Sequence, residues 1–197
     1  MMITIGFVTW ELTCMNERKY ALFGVVGPFV AYFFIGVSIL LSPWFSWWSN
    51  ALSDLGHSVD SDVASLYNFG LLLAGFLMMI YSMKALKNHA RYTSYCLLAS
   101  AFMLQLVATF DEVYGPLHVL VSILFFVSLG FASIVYAVEA KSILASAAFV
   151  IGLGSWILYW AEMYSAGVAV PETISSVVTV SWVMLSAIKI YLGKSSR

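Results

Sequence analysis

The sequence predicts an all-α fold: a polytopic membrane protein built as a six-transmembrane-helix bundle, with a short interfacial helix after the first span. Three observations lead there. Of 197 residues, 62% are apolar, 16% aromatic and only 10% charged, with a mean hydropathy of +0.93; soluble domains are nearer half apolar and a quarter charged. Polar clusters cut the chain into six apolar stretches, each close to the roughly 20 residues that a helix needs to cross a hydrocarbon core about 30 Å thick. The nine lysines and arginines fall on alternate connections, as they do when they collect on the cytoplasmic side.

Residues 1–19 form an N-terminal segment on that side. Met1–Asn16 is too short to span, carries Glu11, and lacks the basic start and small-residue cleavage site of a signal peptide. Two readings stay open for it: a segment lying in the interface, or an extension upstream of a natural start at Met15. Spans follow at 20–42, 63–86, 92–110, 117–138, 142–163 and 172–193, in one domain over 20–193, and 194–197 is a cytoplasmic tail. Connections are short, with no soluble domain, low-complexity run or internal repeat. Function must therefore reside in the membrane or at its surface.

Arg18, Lys19, Lys84, Lys87, Arg91, Lys141, Lys189, Lys194 and Arg197 all map to one side of this topology, which places both termini in the cytoplasm of a cell-membrane protein. Asp54, Asp60, Asp62, Asp111, Glu112, Glu162 and Glu172 map to the other side, with His57 and His118. Carboxylates contribute little to topology signals, so their gathering has another cause: helix caps, a polar site, or both.

The first outer connection, Ser42–Asp62, is Trp-rich and free of lysine and arginine. Ser42 as N-cap and Pro43 at the first helical position predict a short helix along the membrane surface. Asn50, Ser53, Asp54 and His57 then form one polar stripe at i, i+3, i+4 and i+7, with Trp44, Trp47 and Trp48 at headgroup depth. Gly56 is placed to end that helix in a left-handed conformation. Asp60 and Asp62 read as N-caps for the second span, which leaves Asp54 and His57 as site candidates, since a charge half-buried near lipid usually has a specific partner.

The third connection brings Asp111, Glu112 and His118. Pro116 suits the first turn of span four, and the helix dipole there favours the neutral imidazole that ligates a metal or acts as a base. Asp111 reads equally well as a turn former. Glu172, just after Pro171, suits the dipole of span six and also faces the same mouth. Asn68 and Gln105 are the strongest polar groups inside spans, and interhelical hydrogen bonding is their default role.

The absences narrow the function. No charged or histidine side chain falls at the middle of a span, which argues against a charge-coupled pump. There is no basic cluster to hold nucleic acid. No glycine-rich phosphate loop, Gly-x-Ser-x-Gly elbow or His-Glu-x-x-His pair occurs. Cys14 and Cys96 suggest neither a disulfide framework nor a thiolate metal site.

The segments Asn50-Ala-Leu-Ser-Asp-Leu-Gly56, Leu66-Tyr-Asn68-Phe-Gly70 and Phe110-Asp111 with Pro116-Leu-His118 resemble the prokaryotic six-helix membrane family called domain of unknown function nine hundred and ninety-eight. The resemblance runs from Asn16 onward and implies the six-helix architecture, with Asn50, Ser53, Asp54, Gly56, Asn68, Asp111 and His118 at the motif positions. A more distant likeness is to intramembrane ceramidase-like hydrolases, whose zinc sites use three histidines, an aspartate and a serine; here a carboxylate would replace the third histidine.

Three functional readings follow. The first is an outward-facing hydrolase or transferase acting on a lipid or lipid-linked substrate. In it Asp54, Asp111 and His118 are the catalytic residues and the ligands of a divalent metal such as zinc, while Asn50, Ser53, His57, Asn68 and Glu172 line the binding site. The second is a non-catalytic membrane subunit, assembly factor or lipid-binding scaffold, with a membrane protein or a second copy of itself as partner. The third is a facilitator for a small solute, drawn in by an acidic vestibule.

Overall fold

The computed structural model of the chain describes residues 17–193. The readings made for Met1–Asn16, including Cys14, and for 194–197 lie outside the described residues. Among the described residues six helices are long and apolar enough to cross a membrane: α1 (Phe23–Leu41, continuing a helical turn from Glu17), α2 (Ala64–Lys84), α3 (Arg91–Thr109), α4 (Pro116–Glu139), α5 (Ile143–Trp160) and α6 (Ala169–Tyr191). At about 1.5 Å per residue each covers the hydrocarbon thickness. The expected spans are all there.

Local chemistry sets the helix ends. Gly115, at φ +54°, turns the chain into Pro116, which occupies the first turn of α4 where a missing N–H is harmless. Ser142 caps α5, its Oγ accepting from Ala145 N at 3.2 Å. Glu139, at the end of α4, accepts from Tyr92 N and Thr93 N at the start of α3, at 3.1 and 2.9 Å. One acidic residue of the basic end is thus a cap donated between helices.

Neighbours in sequence are neighbours in space, and α6 returns to pack on α1, so the helices close a ring. Tyr32 of α1 hydrogen-bonds Ser176 of α6 at 3.0 Å, and Tyr81 of α2 meets Ser186 of α6 at 2.6 Å. A Cβ on Gly24 would lie 2.8 Å from both Ala187 and Tyr81, so only glycine lets these three helices approach this closely. Trp182, fully buried, stacks on Tyr136 (centroids 4.4 Å apart) and donates to Ser133 Oγ at 3.1 Å. This cluster is the core of the basic half. A second, around Leu52, Leu55, Tyr67, Leu71 and Ala169, closes the acidic half.

The connection after α1 departs from expectation. The short helix is confined to one 3₁₀ turn, Ser53–Gly56; residues 42–52 form successive turns. Ser42 ends α1 through Ser42 N to Ile39 O, and its hydroxyl caps nothing. The carbonyls that a helix from Pro43 would need are committed elsewhere: Trp47 O and Asn50 O accept from Gly167 N and Ala169 N, each at 2.9 Å. Asn50 Oδ1 instead accepts from Ser46 N at 2.9 Å and locks the turn. The loop is strapped to the α5–α6 connection, while Trp44, Trp47 and Trp48 remain exposed.

Gly56 has no positive φ either. It is required because a Cβ there would stand 2.6 Å from Asn68 Oδ1 and 2.9 Å from the Tyr67 ring. Asp60 and Asp62 do not cap α2, whose first turn has no side-chain cap. Both are exposed, and Asp60 pairs with His57 at 3.4 Å.

Candidate functional site

The strapped loop, the 3₁₀ turn and the start of α6 converge beside the α3–α4 connection. Asp54 Oδ2 accepts from Asn50 Nδ2 at 2.6 Å and from Ala51 N at 3.1 Å. Ser53 Oγ donates to Glu112 Oε1 at 2.7 Å, joining two connections that lie 59 residues apart in sequence. Glu172 Oε2 accepts from Leu52 N at 2.7 Å. Asn68 anchors the turn from beneath, donating to Gly56 O at 2.8 Å. Asp54 and Glu112 bear electrostatically on each other's surroundings and both on Glu172.

Glu112 sits outside the membrane-spanning helices and is held above the ordinary carboxyl range. Partial burial contributes most; the Ser53 hydrogen bond opposes it, and the charge and hydrogen bond of Asp54 add to it.

His118 is buried in the first turn of α4. Its Nδ1 meets Phe110 O at 2.8 Å, and a carbonyl only accepts, so that nitrogen carries the proton. Nε2 lies 3.3 Å from Ser122 Oγ.

Two cavities open from this cluster. A small one of about 130 Å³ lies at the centre of the ring, with Ser53, Tyr67 and Glu172 at its acidic end. A larger crevice of about 630 Å³ runs between α4 and α5 with α6 as its floor, within the range of ligand sites. Ser53, Glu112, His118 and Glu172 sit at one end; below them the walls are almost wholly apolar, including Ile123, Phe131 and Leu153. Those three are also exposed on the membrane-facing surface, so the crevice opens sideways to lipid. Trp156 lines it too, edge to face with Phe126 and bonded to Ser175 Oγ at 3.3 Å.

A family model described as protein of unknown function (DUF998) matches residues 25–189. The chain belongs to the DUF998 family. No curated protein and no solved structure matches it. The DUF998 match includes every residue of the cluster and both cavities, and the six-helix architecture expected from the resemblance is the one observed.

Of the residues singled out in this DUF998 chain, Asn50, Ser53, Asp54, Asn68, His118 and Glu172 belong to one assembly. Asp111 does not join it: its carboxylate is spent locally, accepting from Val113 N at 3.0 Å. His57 turns toward Asp60 at the exposed edge. Asp54, Asp111 and His118 therefore do not form a ligand set, and among the described residues no three His, Cys, Asp or Glu side chains are grouped to hold a metal ion. Glu112 takes the place expected of Asp111. An Asp two residues before a turn N–H is a local cap, which frees the neighbouring glutamate; that signal was present in Asp111-Glu112-Val113. Nothing in the sequence marked Tyr67 or Ser122.

Proposed function

We propose that this protein binds a lipid or lipid-linked amphiphile through the α4–α5 crevice and acts on its head as a hydrolase or transferase. The observation that carries the reading is the segregation of the crevice: Ser53, Glu112, His118 and Glu172 at one end, apolar side chains along the rest, and an open flank on the lipid-facing surface. Glu112 serves as general base. It takes the Ser53 proton along the 2.7 Å hydrogen bond as the hydroxyl oxygen attacks an acyl carbon, and gives that proton to the leaving group as its bond to the acyl carbon breaks. It then takes a proton from the water or acceptor alcohol that attacks the Ser53 ester, the Ser53 oxygen recovering the proton as the acyl group departs. His118 Nε2 offers a second acceptor. No step requires a metal.

We also propose a cell-membrane location with both termini in the cytoplasm and the carboxylates facing outward. The basic residues Arg18, Lys19, Lys84, Lys87, Arg91 and Lys141 support it, all lying at the end opposite the cluster.

A second reading has its own support. Asp54 and Glu172 hold backbone amides of the loop, as they would in a non-catalytic lipid-binding scaffold that docks a partner chain or a second copy. Reconstitution into vesicles carrying ester- and amide-linked lipids with fluorescent acyl chains separates the two. Catalysis predicts release of the labelled chain, reduced at least about a hundredfold by Glu112→Gln or Ser53→Ala. No release by the wild-type chain would leave the scaffold.

A further inference from the structure

The acidic end of the crevice has carboxyl groups and no lysine or arginine on its walls. Glu112 and Glu172 both line the crevice, with Asp54 bearing on each and His118 the one titratable group of other charge on the wall; among the described residues the ion pairs are His57 with Asp60 and His89 with Glu17. Glu172 is 9% exposed. Its Oε2 is occupied by Leu52 N, while its Oε1 receives no hydrogen bond from any described residue, and the side chain borders both cavities. That oxygen is open to a hydrogen-bond donor brought by a ligand in the cavity.

We infer that the crevice takes a long-chain amphiphile with a positively charged amine head, the chain lying between α4 and α5 and the ammonium seated at Glu172 and Glu112, both of which line it. The donor set selects this head over a metal ion. A metal needs several ligand atoms converging at one point, which these residues do not supply. An ammonium carries three N–H donors and can serve acceptors spread around it. Length selects the tail. From His118 to Ile134 the α4 wall runs about 24 Å, and from Trp160 to Ala148 the α5 wall runs about 18 Å; each exceeds one leaflet of a hydrocarbon core about 30 Å thick.

The inference rests on the lipid-binding reading above, and one experiment separates their failures. The full chain in detergent is titrated with hexadecylamine, hexadecanol, hexadecanoate and chain-free methylamine near pH 7, where an amine is charged. Apparent affinity is read from the ligand-dependent rise in Tm. Hexadecylamine is expected to bind about tenfold or more tightly than hexadecanol, and hexadecanoate weakest. Glu172→Gln, whose amide oxygen still accepts from Leu52 N, should bring the amine and the alcohol within about twofold of each other. Glu112→Gln, which still accepts from Ser53, applies the same test should the first variant fold poorly. Gly130→Leu fills the crevice, since a Cβ there meets only the Phe149 ring, at 3.6 Å, and should weaken all three hexadecyl compounds alike. Equal affinity for amine and alcohol, a preference that survives Glu172→Gln, or methylamine binding as tightly as hexadecylamine overturns the inference and leaves lipid binding standing. Failure of every hexadecyl compound to bind, or indifference to Gly130→Leu, overturns both.

Discussion

Gly167→Ala should unfasten the strap over the site. A Cβ at Gly167 would lie 2.3 Å from Asn50 O and 2.7 Å from Asn50 N, both backbone atoms that no rotamer change can move aside. The loop would have to retreat by about 0.7 Å just to reach the 3.0 Å floor of real Cβ contacts. Gly167 N to Trp47 O and Ala169 N to Asn50 O, each now 2.9 Å, would stretch beyond useful length. At about 0.5 to 1.5 kcal/mol each, their loss amounts to about 1 to 3 kcal/mol. For a chain of this size that lowers Tm by roughly 3 to 10 °C. Leu52 N and Ala51 N ride on the same loop, so ligand affinity should fall with Tm. Gly154→Ala is the matched control: a Cβ there meets nothing within 4 Å, and alanine is the better helix former, so Tm should hold or rise. Differential scanning fluorimetry of both variants in detergent decides it. A Gly167→Ala chain melting within about 1 °C of wild type, or both variants shifting alike, would refute the docking of the loop.

Two further outcomes are expected. Burial, with Asp54 adding to it, holds the folded-state pKa of Glu112 above its unfolded value. Its stabilising contribution is therefore full below the ordinary carboxyl range and lost as pH rises through the raised value; Tm should decline across that window in wild type and decline less in Glu112→Gln, and parallel profiles would count against the raised position of Glu112. Asp111→Ala should cost about 1 kcal/mol, the worth of a lost cap, while amine affinity and lipid release stay at wild-type levels; a collapse of either would return Asp111 to the site.

The architecture was legible because lipid imposes a simple rule. Six apolar stretches of sufficient length can satisfy their backbones only as helices, and all six formed. The Ser42–Asp62 connection was harder, because its cues are local and its fate is tertiary. Ser42-Pro43 does read as a helix start, yet Trp47 O and Asn50 O are claimed by Gly167 and Ala169, more than a hundred residues away. Periodicity cannot report such a claim. Asn50, Ser53 and Asp54 reached the site by the turn they fold into, and His57, the fourth member of the supposed stripe, was left outside. Between Asp111 and Glu112 the side chains are chemically alike, and the choice fell to geometry: the shorter one reaches its own turn, and the longer one reaches Ser53.

Glu172 both holds the loop and lines the crevice, and these two roles are physically linked. Glu172 gives one oxygen to Leu52 N and leaves the other free, and Asp54 is committed to Ala51 and Asn50. With three acidic groups together, each ionisation weakens the others' hold on the loop by repulsion. A cation placed against Glu112 and Glu172 offsets that repulsion. Loop closure and ligand binding then favour each other, as reciprocity between coupled equilibria requires. A variant that loosens the loop without touching a carboxylate, such as Gly167→Ala, should for this reason bind a cationic amphiphile more weakly, and ligand should recover part of its lost Tm.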